Sequence, residues 1–252
     1  MLRLTEIPRL ARKLRQESPP DLGRSTRRQL LEAIDDGRLD DARALADYTV
    51  SEAKPLHDLF CDWLWDMLTR IADTFGETAM YRILRGTQES WMMRRTWKAF
   101  LAFGIEERVA LIAEMMRAHQ CGPEQDGGVE IIEEGDRFVV RMDPCGSGGR
   151  MRRGDPVAGT PSRLAAPFNF GVTREAHDWS WRRHGVPYYC VHCAVNEQLP
   201  MEWGGHPLWV TEYDPDPAKP CAWAVYKRAE DIPLRYYERL GRRKPRPGEG
   251  KY

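Results

Sequence analysis

The sequence predicts an α+β fold in which a helical N-terminal half packs on a C-terminal antiparallel-sheet domain, and three observations carry that prediction. Apolar residues in the first half recur at helical spacing. At Cys121-Gly122-Pro123-Glu124-Gln125-Asp126-Gly127-Gly128 turn formers interrupt that periodicity. Beyond it, short β-branched and aromatic runs alternate with glycine and proline. The expected organisation is a helical domain or cap over 1–125 and an α+β domain over 126–252 that carries a Cys/His site.

In chain order, Ser25 caps a helix from Thr26 to Asp36, and Gly37 stops it. From Leu59 the set Leu59, Phe60, Trp63, Leu64, Met67, Leu68, Ile71 and Phe75 follows one helix face, which Gly76 closes. Segments Glu77 to Leu84, Glu89 to Phe103 and Glu106 to His119 continue the pattern, each opening on acidic residues that suit the positive end of a helix dipole. The large side chains of Ser90 to Trp97 make a candidate pocket wall. Val129 to Glu133 and Arg137 to Met142 flank Glu134-Gly135-Asp136 as a hairpin. Residues 150–167 lack periodicity and read as a long loop. Thr173 is the expected cap of a helix from Arg174 to His184. Tyr188 to Cys193, Pro207 to Glu212 and Cys221 to Tyr226 read as strands, and Arg242 to Pro247 as an exposed tail.

With 252 residues and 42% hydrophobic content the chain can bury a full core. Lys+Arg and Asp+Glu both number 38, so no electrostatic case for a nucleic-acid partner arises. Nothing approaches the ~20 apolar residues of a membrane span, and Arg3, Glu6, Arg9 and Arg12 are unlike a secretion signal. The expectation is a soluble cytoplasmic protein whose partner is a small-molecule substrate, its oligomeric state left open. In that compartment its six cysteines stay reduced, as metal ligands, a nucleophile or core fillers.

Tyr189-Cys190-Val191-His192-Cys193 places two thiols and an imidazole in four consecutive positions. Cys-x-x-Cys lets two sulfurs reach one ion, and Cys145, in Asp143-Pro144-Cys145-Gly146-Ser147-Gly148-Gly149-Arg150, is the natural third ligand of a zinc site with one open position. His192 and His177 compete for the fourth position or for proton transfer. Glu197 and Glu175 are candidate bases. His177, Trp181 and His184 share one face of the expected helix. A metal-free alternative makes Cys145 the nucleophile, with the backbone of Gly146, Gly148 and Gly149 and the guanidinium of Arg150 holding an anionic substrate, bracketed by Asp143. Trp179, Trp203, Trp223, Tyr188 and Tyr189 suit either ligand walls or core.

Phe168-Asn169-Phe170-Gly171-Val172-Thr173-Arg174, then His192-Cys193, then Cys221-Ala222-Trp223, resembles the L-2-amino-thiazoline-4-carboxylate hydrolase family and the related four-vinyl-reductase ligand-binding domain, over residues 129–228. The resemblance implies an α+β fold, a small-molecule pocket, and either hydrolysis of a C–N or C–S bond or ligand sensing. Cys193 and Cys221 match its pattern; the Cys145 loop and Cys190 lie outside it. The leading expectation is therefore a zinc-dependent hydrolase or lyase acting on a small anionic molecule. The alternatives are a cysteine-nucleophile hydrolase and a non-catalytic small-molecule or metal sensor.

Overall fold

The computed structural model describes residues 3–8, 12–119, 127–156 and 159–249, without the side chains of Lys98 and Leu101. The part of the expected boundary from Cys121 to Asp126 lies outside the described residues. The fold is α+β, as the sequence predicts: a helical N-terminal region and a C-terminal antiparallel sheet.

The chain opens with an unexpected hairpin, β1 (Leu4–Ile7) and β2 (Arg12–Arg15), paired antiparallel. Arg15 ties the hairpin to the next two helices by donating to the carbonyls of Leu22 and Arg24 at 3.0 and 2.7 Å and to Thr26 Oγ1 at 3.1 Å. The first of these is a short turn of helix, α1 (Pro19–Leu22). The second is α2 (Thr26–Asp35), whose first turn is capped by Ser25 accepting from the Arg28 N–H.

Helix α3 (Leu39–Phe75) has 37 residues, about 55 Å at 1.5 Å per residue. It continues past Pro55, which forfeits one backbone hydrogen bond. Its first half packs Ala42 and Leu45 on Ala33 of α2, and its second half enters the main core through Cys61, Trp65, Leu68 and Ala72. The expected helix is there, but its buried face is turned. Leu59, Phe60, Trp63, Met67 and Phe75 are exposed, while Trp65 is fully buried and donates to the Gly171 carbonyl at 2.8 Å. The chain turns into α4 (Glu77–Thr87) at Gly76, whose φ of +87° would strain any L side chain.

A π-helical turn (Gln88–Met92), α5 (Trp97–Ala102) and α6 (Ile105–Arg117) complete the first half. The expected continuous helix over 89–103 is thus broken around residues 93–96. Among the described residues no helix is long and apolar enough to cross a membrane.

The second half contains β3 (Glu130–Glu133), β4 (Arg137–Met142), α7 (Gly148–Arg153), α8 (Val191–Gly204), β5 (Val210–Glu212), β6 (Cys221–Tyr226) and α9 (Leu234–Glu238). The sheet runs β3-β4-β6-β5, with every neighbour antiparallel. Val109 and Ile112 of α6 cover Val140, Trp223 and Val225 of the sheet. The larger core joins both halves, packing Trp65, Met80 and Leu84 with Val191, Leu199, Tyr237 and Leu240.

Two further segments differ from expectation. Residues 174–184 form no α-helix: Thr173 Oγ1 accepts the Val186 N–H, and Ser180 Oγ accepts the His177 N–H and donates to the Arg183 carbonyl. Hydroxyls that bond nearby backbone compete with a helix ladder, and only a single 3₁₀ turn (Asp178–Ser180) survives. Residues 188–193 are not a strand either. They lead into α8, which is buried on nearly every side, so its sequence lacks the polar stripe that marks a surface helix. The C-terminal segment is held as well as exposed, Lys244 Nζ donating to the Glu230 and Ile232 carbonyls at 2.6 and 2.7 Å.

Candidate functional site

Because Cys190 and Cys193 sit at the start of a helix, three residues apart, they share a face instead of alternating across a strand. Strand β4 delivers Cys145 through the turn after Met142, and Met142 pairs in register with Cys221 at the start of β6. Helix α7 fills the space between. A Cβ on Gly148 would stand 2.6 Å from Cys190 Sγ, and one on Gly149 would stand 2.9 Å from Cys145 Cβ. Only glycine admits that approach.

The four sulfurs of Cys145, Cys190, Cys193 and Cys221 are near enough to act on one another. Burial pushes the Cys190 thiol up, with Cys221 and Cys145 adding to it. Burial does the same to Cys193, reinforced by Cys190, Cys145 and Cys221, and to Cys221, reinforced by Cys145. Arg152 opposes this trend at Cys221, its Nη2 lying 3.9 Å from that sulfur. Among the described residues no three His, Cys, Asp or Glu side chains stand at the mutual spacing of ligands around one ion.

His192, Glu197 and His177, the other residues singled out for acid–base work, have distinct settings. His192 Nδ1 lies 2.6 Å from the Tyr189 carbonyl, which assigns the proton there and leaves Nε2, 3.4 Å from Cys193 Sγ, as an acceptor. Burial lowers the His192 pKa, so the ring is neutral. Glu197 is fully buried and engaged: Oε1 accepts from Trp181 Nε1 and the Thr211 N–H, both at 3.0 Å, and Oε2 accepts from Arg239 at 2.7 Å. Burial raises its pKa, against the pull of Arg239.

His177 sits elsewhere, 2.8 Å from Glu77 and stacked on Trp179 at 4.1 Å. Glu175 and His184 are exposed, and His177, Trp181 and His184 share no helix face. Asp143 pairs with Arg153 at 2.6 Å. The expected aromatic walls disperse: Trp179 against Tyr81, Trp203 against Trp97, and Trp223 in the sheet core.

Arg150 is fully buried, and its guanidinium is occupied by protein carboxylates. It donates to Asp155 at 2.6 Å, to both oxygens of Asp58, and to the Gly146 carbonyl at 3.1 Å. Lys54 joins the same pair, 2.8 Å from Asp58 and 2.7 Å from Asp155.

That network leads to residues the sequence reasoning passed over. His57 Nδ1 lies 3.1 Å from Asp58 Oδ1, His57 Nε2 lies 3.8 Å from Cys61 Sγ, and Cys61 Sγ lies 3.3 Å from Tyr189 OH. Burial opposes ionisation of Asp58, but His57, Arg150 and Lys54 together hold its carboxyl well below the usual range. The signal was in the sequence: Lys54, His57, Asp58 and Cys61 recur at helical spacing, interleaved with the apolar residues that drew attention.

An arginine-rich cleft of about 270 Å³ adjoins the thiols, lined by Trp181, Arg183, Tyr213, Arg235, Tyr236 and Arg239 together with Glu212. Tyr213 stacks on Trp181 at 5.2 Å, and Arg152 donates to Tyr213 OH at 3.0 Å while reaching toward Cys221. Burial raises the Tyr213 pKa, with Cys190 and Cys221 contributing, and the same ring lines the cleft. No family model, curated protein or solved structure matches the chain.

Proposed function

We propose that the chain is a metal-dependent enzyme acting on a small anionic organic molecule, with Cys145, Cys190, Cys193 and Cys221 holding the metal. The observation behind this reading is that four free thiols from three separate segments lie close enough to influence one another, although they stand outside ligand spacing and would have to draw together around an ion. Burial and the neighbouring sulfurs raise the ionisation cost of Cys190, Cys193 and Cys221 when no cation is bound. A bound cation reverses that cost, since coordination deprotonates a thiol outright. Zinc suits a sulfur donor set with a neighbouring imidazole, and would supply Lewis acidity there.

Arg150, committed to two carboxylates, is a poor anion receptor. Arg183 and Arg235 in the adjoining cleft take that role, with Trp181 and Tyr213 as its apolar floor. His192, neutral and beside Cys193, is the group placed to accept a proton. The reaction class, hydrolysis or elimination at a C–N or C–S bond, follows the resemblance to the thiazoline-carboxylate hydrolases, whose pattern includes Cys193 and Cys221.

Elemental analysis of protein purified without air tests the reading. About one zinc per chain is expected, lost in Cys193→Ala and in Cys221→Ala. Iron with acid-labile sulfide would replace zinc by a cluster on the same ligands. Metal-free wild-type protein would remove the proposal.

A further inference from the structure

We infer that Cys61, His57 and Asp58 form a second reactive centre, independent of the four-thiol site, in which Cys61 attacks the carbonyl carbon of a small thioester, activated ester or amide. The three side chains lie in line along one face of α3: sulfur to imidazole Nε2 3.8 Å, imidazole Nδ1 to carboxylate 3.1 Å. A thiol, a base and a group that orients the base are the components of thiol nucleophilic catalysis, and such contacts are commonly longer before substrate binds.

The geometry is supported from outside the helix. Arg150 bonds both oxygens of Asp58 and Lys54 bonds Oδ2, so the carboxylate is anchored while its Oδ1 also meets the imidazole. Tyr189 OH also lies 3.3 Å from the sulfur. A merely structural buried cysteine has no use for an aligned imidazole whose other nitrogen is held by an anchored carboxylate.

The charged and titratable groups around the pair are Lys54 and Asp58 on α3, Arg150 of α7 and Asp155 just after it, Tyr189 before α8, and His119 after α6. Their combined effect favours a protonated imidazole. The bond to Asp58, then the bond to Cys61, raises His57 to about 9 against the pull of burial. An imidazolium beside a sulfur stabilises the thiolate.

In the proposed step the Cys61 thiolate forms an S–C bond to the acyl carbon, and the bond from that carbon to the leaving oxygen, sulfur or nitrogen breaks. The leaving group takes the Nε2 proton, giving S-acyl Cys61 and neutral His57. Water then gives a proton to His57 and its hydroxyl to the acyl carbon. A carboxylic acid departs and the thiolate–imidazolium pair is restored.

Iodoacetamide is the first probe, applied to the full chain as purified over about pH 5 to 9, with peptide mapping. The sulfur displaces iodide, and the thiol proton stays on His57. Cys61 is expected to label at least tenfold faster than any other cysteine, with labelling persisting below pH 7. His57→Gln is expected to slow it tenfold or more and to move the reaction to higher pH. p-Nitrophenyl acetate is the second probe: about one equivalent of p-nitrophenol should appear in a burst, and Cys61→Ser should lack it.

Labelling of Cys61 no faster than of Cys145, unchanged rates in folded His57→Gln, or a burst retained in Cys61→Ser would each overturn the inference. Should His57→Gln fail to fold, the ester burst decides it. Cys61→Ser should keep its metal and Cys193→Ala its Cys61 reactivity, so failure of one site is distinguishable from failure of the other.

Discussion

Replacing Arg150 with methionine keeps the volume of the side chain and removes the charge that joins the two halves of the molecule. The guanidinium and the Asp155 carboxylate are both wholly buried, and Asp58 is nearly so. Without Arg150, the carboxylates of Asp58 and Asp155 are left with the ammonium of Lys54 and, at Asp58 alone, the His57 imidazole. Removing one partner of a buried pair costs about 3–5 kcal/mol, because the surviving charge is left without compensation. In a chain of this size that corresponds to a fall in Tm of roughly 6–20 °C. By contrast, Arg43 and Asp40 lie 3.2 Å apart in full solvent, and Arg43→Met should stay within about 0.5 kcal/mol of wild type. The assay is urea and thermal unfolding followed by circular dichroism. Adding Asp155→Leu to Arg150→Met should recover part of the loss, with a coupling on the order of 1–3 kcal/mol. A single-variant loss below about 1 kcal/mol, or strict additivity in the pair, would refute the account of this network.

Other substitutions probe the same geometry. Gly148→Ala drives a methyl to 2.6 Å from Cys190 Sγ and 3.2 Å from the Tyr189 ring, so it should cost about 1–3 kcal/mol, while Gly135→Ala, with nothing within 4 Å, serves as a neutral control in the same denaturation series. The raised His57 pKa makes a signed prediction for pH. Its contribution to stability is complete below about 6.5 and is lost as pH rises through about 9, so the urea midpoint should fall across that window and fall less in His57→Gln. Desolvation lowers the values of His119, His192 and His206, which act in the other direction: their contribution is present above about 6.5 and is lost as pH drops below it. A midpoint insensitive to pH between 6.5 and 9 in the wild type would contradict the first statement.

Local signals made much of the architecture legible. Ser25 capped its helix, Gly76 ended the long one, and the hairpin around Glu134-Gly135-Asp136 formed where turn chemistry required. Segments whose character depends on burial were less legible. Helix α8 is enclosed by the rest of the protein, and a short apolar run enclosed on all sides looks the same in sequence whether it coils or extends. On α3 the largest apolar residues mark the exposed face, since Trp65 and Cys61 rather than Phe60 and Trp63 meet the core. The three-residue spacing of Cys190 and Cys193 was readable directly. The partners of Arg150 were not, because Asp58 lies 92 residues away.

Asp58 answers to two masters. Both oxygens of its carboxylate receive the guanidinium contributed by the distal part of the chain, and Oδ1 also favours the charge on its neighbour His57. The reactivity of a sulfur on the long helix is therefore conditional on closure of a segment far downstream. A truncated polypeptide ending before α7 would carry Cys61 as an ordinary thiol, and the competence of that sulfur would report on completion of the tertiary assembly.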